Sequence, residues 1–300
     1  MKLLKKTTCI TMLFNFFMTS TLLPVYAADT NELNWYYMAK GKGNVAEQPK
    51  ESADFLKDCA GYYVGDTTQK VIYLTFDEGY ENGNTGKILD ILKEVEVPAA
   101  FFVTKPYIDS QPDLIKRMVN EGHIVGNHSV HHPSMASIHD KEKFKAEFTG
   151  VEEAYKNLIG SDMPKYFRPP MGKYSNQSLE MTKELGYKTI FWSFAYKDWL
   201  VNSQPSESYA IEKITNGGHP GCIMLLHAVS ITNTNVLKTV IESLKADGYV
   251  FKSLDYLDNS NETEAEAQAK FNYAPQKILA QQYTTINQWY KTSVAMPRLF

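Results

Sequence analysis

Short apolar runs alternate with helical patterns along most of this chain, and that alternation limits the fold more than any other feature. Runs over 71–76, 99–104, 123–128, 165–170, 187–193, 222–228 and 249–254 read as strands. Between them, 86–95, 112–122, 141–159, 177–186, 208–217 and 235–248 read as helices. Several helical stretches end on Gly, which tolerates the left-handed turn at a helix C-terminus. Leu237, Val240, Ile241 and Leu244 keep the spacing of one buried helix face. Strands alternating with helices imply parallel pairing through right-handed crossovers. Seven strands are one short of the eight-fold barrel. The expected fold is therefore α/β, a distorted (β/α) barrel with about seven parallel strands.

The flanks carry other signals. Met1 to Lys6 is a positive n-region, an apolar stretch runs to about Leu23, and Val25-Tyr26-Ala27-Ala28 offers small residues for cleavage. Residues 1–27 are expected to be a secretory signal, which places the protein outside the cytoplasmic membrane. An uncleaved membrane anchor is the alternative, weakened by Thr11, Asn15 and Thr19 within a run short for a span. Residues 28–67 read as an N-terminal arm, 68–258 as the catalytic domain, and 259–300 as a tail with no assigned function. The net charge is -3, with no basic run beyond the N-terminus, which excludes a nucleic-acid footprint. Past the signal only Cys59 and Cys222 remain, too few for a disulfide framework. Cys222, in a strand pattern, is expected to be a buried thiol.

Reactive side chains gather where the strands end. In parallel βα folds those ends share one mouth. Asp77 and Glu78 leave the first strand at a Gly turn, which can aim both carboxylates inward. One could hold a metal while the other takes a proton; alone, the pair reads as a solvated turn. His128 and His132, four apart, can bind one cation, with His131 pointing elsewhere. With a carboxylate they would form a site open to water, for which Zn²⁺ is the default and Co²⁺ or Mn²⁺ are compatible. Arg168-Pro169-Pro170-Met171-Gly172-Lys173-Tyr174 is a stiffened loop that fixes Arg168 and offers backbone N–H groups from Met171 onward to an oxyanion. Trp192 and Phe194 are expected in the core. Met171, Tyr174 and Trp199 are assigned to substrate contact. His227, after an apolar strand, is a general-acid candidate.

In this order and spacing the motifs resemble the polysaccharide deacetylase family of carbohydrate esterases, over roughly 68–258. Thr75 to Gly79, His128 to Pro133, Arg168 to Gly172 and Leu225 to His227 carry the resemblance. It implies a distorted βα barrel, Asp77 as general base, His128 and His132 as metal ligands, Arg168 holding Asp77, the residue 171 backbone serving the oxyanion, and His227 as acid. Three positions depart from the family. Glu78 stands where the third metal ligand is an Asp, Met171 replaces a Tyr, and Ala195 stands where an Asp pairs with the Arg. Asp198 is the expected substitute partner for Arg168. Phe76 to Gly83 and Trp192 to Tyr196 are similar to the muramic-δ-lactam-forming de-N-acetylases of spore-forming bacteria. That resemblance implies action on N-acetylmuramic acid in peptidoglycan glycan strands; no protein partner follows from it. A de-N-acetylase of N-acetylglucosamine, or a wall-binding protein with a lapsed metal site, are the alternatives.

Overall fold

The computed structural model describes residues 28–257. The expected signal (1–27) and tail (259–300) lie outside the described residues. In chain order the elements are β1 (Leu33–Asn34), β2 (Gly61–Tyr62), β3 (Val71–Glu78), α1 (Thr85–Glu94), β4 (Ala99–Val103) and α2 (Lys105–Ser110). There follow α3 (Pro112–Asn120), β5 (Ile124–Asn127), α4 (Lys141–Ile159), β6 (Tyr166–Phe167), β7 (Lys173–Tyr174) and α5 (Asn176–Glu184). The last are β8 (Lys188–Ile190), α6 (Glu207–Gly217), β9 (Cys222–His227), α7 (Ile231–Ala246) and β10 (Val250–Phe251).

All seven expected strands are present and parallel, in the order β10-β3-β4-β5-β6-β8, with β9 also on β3. A parallel bridge from Phe194 to Met224 brings the chain after β8 against β9. The sheet thereby curls back toward β3, as a distorted barrel. β6 stops at Phe167 because Pro169 and Pro170 have no N–H to give a ladder. All six expected helices are present. Asp140, Ser206 and Ser230 cap α4, α6 and α7 by accepting from backbone N–H groups in the first turn.

Three features were not expected. β2 adds an eighth parallel strand beside β8. β1 pairs antiparallel with β7, Leu33 opposite Tyr174. α2 forms one short helix after β4. Each is six residues or fewer, too short for a periodic signal.

The alternation along β3 organises both the core and the site. Ile72, Leu74 and Phe76 join the helix-side cluster with Ile88, Leu89 and Leu92 of α1 and Val240, Ile241 and Leu244 of α7. Val71 and Tyr73 join the barrel interior with Phe102, Ile124, Ile190 and Ile223. A period of two then sends Asp77 to the interior mouth and Glu78 to the helix side. Cys59 and Cys222 are both buried and free. Burial pushes the Cys222 thiol up to about 12, as befits an inert core residue.

Candidate active site

The carboxyl ends of β3, β5, β6 and β9 surround a cleft of ≈ 960 Å³. Asp77, His128, His132, Met171, Trp199 and His227 all line it. Asp77 is placed by its register opposite His227 in the β3–β9 ladder. Its Oδ1 accepts from Arg168 Nη1 at 2.8 Å. Arg168 is fully buried, its Nε donates to the Ile190 carbonyl at 3.0 Å, and its guanidinium lies 4.3 Å over the Phe102 ring. Burial alone would push the Asp77 carboxyl up. The Arg168 guanidinium, with His128 and His227, outweighs it and holds the carboxyl below the usual range.

Asp198 does not pair with Arg168, contrary to expectation. It is buried, and its Oδ1 sits 2.7 Å from His227 Nδ1. Its Oδ2 accepts the His227 backbone N–H at 2.9 Å and a second bond from Asn233 Nδ2. The loop after Trp192 carries Asp198 to the β9 side, out of reach of the guanidinium that Asp77 and two carbonyls already occupy. Burial lowers the His227 imidazole, but the Asp198 hydrogen bond and charge win and raise it above its ordinary value. Nδ1–H is thus spent on Asp198, and Nε2 is left to the cleft. Trp199 lies beside it, ring centroids 5.5 Å apart, and is 47% exposed.

The two histidines fit a cation. His128 is buried, and its Nδ1 lies 2.8 Å from the Arg168 carbonyl, which fixes the tautomer and frees Nε2. Burial pulls its pKa down to about 4, and burial likewise lowers His132. Both rings are therefore neutral at pH 7, the form that ligates. Their centroids are 4.8 Å apart, and Asp77 Oδ2 is 3.7 Å from His128 Nε2. His131 turns outward to Glu147, at 2.7 Å, leaving only the cleft rim to it.

Glu78 does not fit as the third ligand. It is completely buried on the helix side, with Oε1 3.4 Å from the Thr85 hydroxyl and Oε2 without a partner. The strand runs on through Glu78, so no turn intervenes to aim it inward. Burial, then the nearby Glu81 and Asp77, push its carboxyl well above the usual range. Among the described residues no group of three His, Cys, Asp or Glu side chains is placed to hold a metal.

Tyr174 is also corrected. It is wholly buried, 5.1 Å from the Phe191 ring centroid and under the N-terminal arm, away from the cleft. Phe194 is core as expected, whereas Trp192 lines the cleft. Tyr80, 56% exposed at the rim, was not foreseen. Nor was the backbone at Ser129, His132 and Met171, all with positive φ (71, 56 and 59°). His132 and Met171 line the cleft and Ser129 is buried beside His128, so three of the five positive-φ non-Gly residues described fall at the candidate site. No glycine signalled it in the sequence.

Comparison with known proteins gives the family and the fold. The family model for polysaccharide deacetylase matches residues 64–190. The chain belongs to the polysaccharide deacetylase family, hydrolases of the N-acetyl amide bond whose chemistry is in general metal-dependent. Within it, the chain falls in the branch of PdaA, the peptidoglycan-N-acetylmuramic acid deacetylase of Bacillus subtilis. It is 42% identical to PdaA over 231 residues, 77% of this chain and 88% of PdaA. The PdaA structure, a family 4 carbohydrate esterase, superposes with a TM-score of 0.75, covering 78% of this chain and 100% of that one at 41% identity. An uncharacterized 30.6 kDa protein of Geobacillus stearothermophilus is 45% identical over 249 residues, 83% of this chain and 92% of its own.

Proposed function

We propose that this protein removes the acetyl group of N-acetylmuramic acid in peptidoglycan glycan strands. The carrying observation is Asp77 and His227 facing one cleft, Asp77 bonded to Arg168 at 2.8 Å and His227 Nδ1 2.7 Å from Asp198, partners that lower the carboxyl and raise the imidazole from their ordinary values. The two shifts run in the directions that a general base and a general acid need.

Asp77 takes a proton from the attacking water as its oxygen bonds to the acetyl carbon. The backbone N–H of Met171, at the cleft wall, stabilises the oxyanion. His227 gives the Nε2 proton to the sugar nitrogen as the C–N bond breaks, leaving acetate and a free amine. His128 and His132 would hold a divalent ion, Zn²⁺ by default with Co²⁺ or Mn²⁺ as substitutes, leaving the other positions to water and substrate. When bound it would supply Lewis-acid polarisation of the carbonyl. Trp199 and Tyr80 offer exposed aromatic faces to sugar rings.

The amine left on muramic acid stands near the lactyl carboxyl of the same sugar, the pair that condenses to muramic δ-lactam. The proposed setting is spore cortex, outside the cytoplasmic membrane, which the wall substrate and the signal-like residues 1–27 support.

The test is mass spectrometry of glycan strands without stem peptides, incubated with purified protein with and without Zn²⁺. Loss of one acetyl from muramic acid, or its lactam, is expected. Loss from glucosamine would keep the chemistry and refute the substrate. No mass change under either condition would refute the enzyme and favour a wall-binding protein.

A further inference from the structure

The N-terminal arm touches the site from behind. The Trp35 backbone N–H donates to the Gly172 carbonyl at 2.7 Å. The Trp35 indole N–H donates to the Trp192 carbonyl at 2.9 Å. The Tyr37 hydroxyl donates to the Ala195 carbonyl at 2.8 Å. The three acceptors come from two separate loops, and all three residues line the cleft. The indole also stacks on Phe191, centroids 4.1 Å apart and 16° between planes. Phe191 in turn leans its carbonyl toward Arg168 Nη2 at 3.5 Å. Three residues before Trp35, Glu32 bridges Lys173 at 2.7 Å and Ser134, which follows the His132 loop. Gly172 leaves no slack, because a Cβ there would meet Trp192 at 2.8 Å and Trp35 at 3.2 Å.

We propose that residues 32–37 are a positioning element of the active site, fixing the oxyanion loop against the Trp192–Ala195 wall. Ordinary surface packing would bury side chains without spending three donors on the backbone of cleft residues. Here the arm reaches no reacting atom. It sets where the Met171 N–H and the cleft wall stand relative to Asp77 and His227. Small errors in such placement cost rate much more than binding. This role rests on the deacetylase function proposed above, but the placement itself can be read without turnover.

Two variants remove the donors, Tyr37→Phe with almost no loss of packing and Trp35→Phe with the loss of part of a buried ring. Tyr37→Phe deletes one hydroxyl. Trp35→Phe deletes the indole N–H while keeping a ring on Phe191. Tyr256→Phe, which loses a hydroxyl contact to Gln69 remote from the cleft, is the control. The expected result for the Trp35→Phe/Tyr37→Phe double variant is a fall in kcat of about 10-fold with KM within about twofold. Hydrogen exchange should quicken in 168–174 and 192–198 and nowhere else. The control should keep both kcat and exchange. Unchanged kcat and exchange in the double variant would overturn the proposal, as would an equal loss in the control. If the double variant fails to fold, Tyr37→Phe alone decides by the same two readouts. If the wild type releases no acetate, the function fails separately and the exchange pattern still decides the placement.

Discussion

In the proposed reaction Asp77 and His227 take opposite jobs because their partners differ, and each partner can be removed. Asp77→Asn should fold and lose turnover by roughly 10³-fold, and His227→Ala by roughly 10²-fold or more, since each removes one proton transfer. Acetate release by variants of unchanged circular dichroism checks this; a near-wild-type rate for Asp77→Asn would refute the base. The proposed mechanism needs ionised Asp77 and protonated His227, so it predicts a kcat that is bell-shaped in pH. Asp198→Asn removes what raises the imidazole, and its alkaline limb should move to lower pH. An unmoved limb would break the link between Asp198 and the acid. Glu78 belongs to stability instead. Its folded-state pKa is raised, so over the interval above its unfolded value only the unfolded chain is ionised, and stability falls as pH rises. Glu78→Gln should therefore melt higher than wild type at neutral pH, with the gap closing in acid. Its metal affinity should match the wild type; a lost ion would restore Glu78 as a ligand.

At the scale of elements, the motif residues were legible because strand ends converge whatever the side chains between them. Asp77, His128, His132, Arg168, Met171, Trp199 and His227 were all brought to the cleft or its immediate support. What failed was direction. Glu78 was expected to turn inward, yet β3 is two residues longer than its apolar run suggests, and the pleat still governs position 78. Tyr174 and Asp198 were misplaced because two-residue strands and irregular loops leave no period to read. The proposed oxyanion loop offers the sharpest element-scale test. Gly172 has φ 65° and a Cβ would overlap the Trp192 ring. Gly172→Ala should cost about 1–3 kcal/mol. It should also lower kcat beyond its effect on melting, because the displaced atoms are the cleft's own. A melt and rate equal to wild type would show the loop to be slack.

For the molecule as a whole, the barrel and the chemistry are built from different contacts. The helix-side and interior clusters around β3 are mainly apolar, and the candidate catalytic groups occupy one rim. The candidate ion site at that rim draws on two imidazoles whose loops are already tied by protein hydrogen bonds, His128 through Arg168 and His132 through Ser129. An ion bound there stabilises only by mass action, about 2.7 kcal/mol at a free concentration 100 times its Kd. Chelation should therefore abolish acetate release while leaving a cooperative melt lowered by no more than that linkage. His128→Ala should likewise lose the ion by native mass spectrometry yet keep its circular dichroism. By contrast Leu244→Ala, fully buried on α7 far from any motif, should cost about 2–5 kcal/mol and leave kcat per folded molecule unchanged. If chelation unfolds the protein, the metal is part of the fold and this separation of core from rim is wrong.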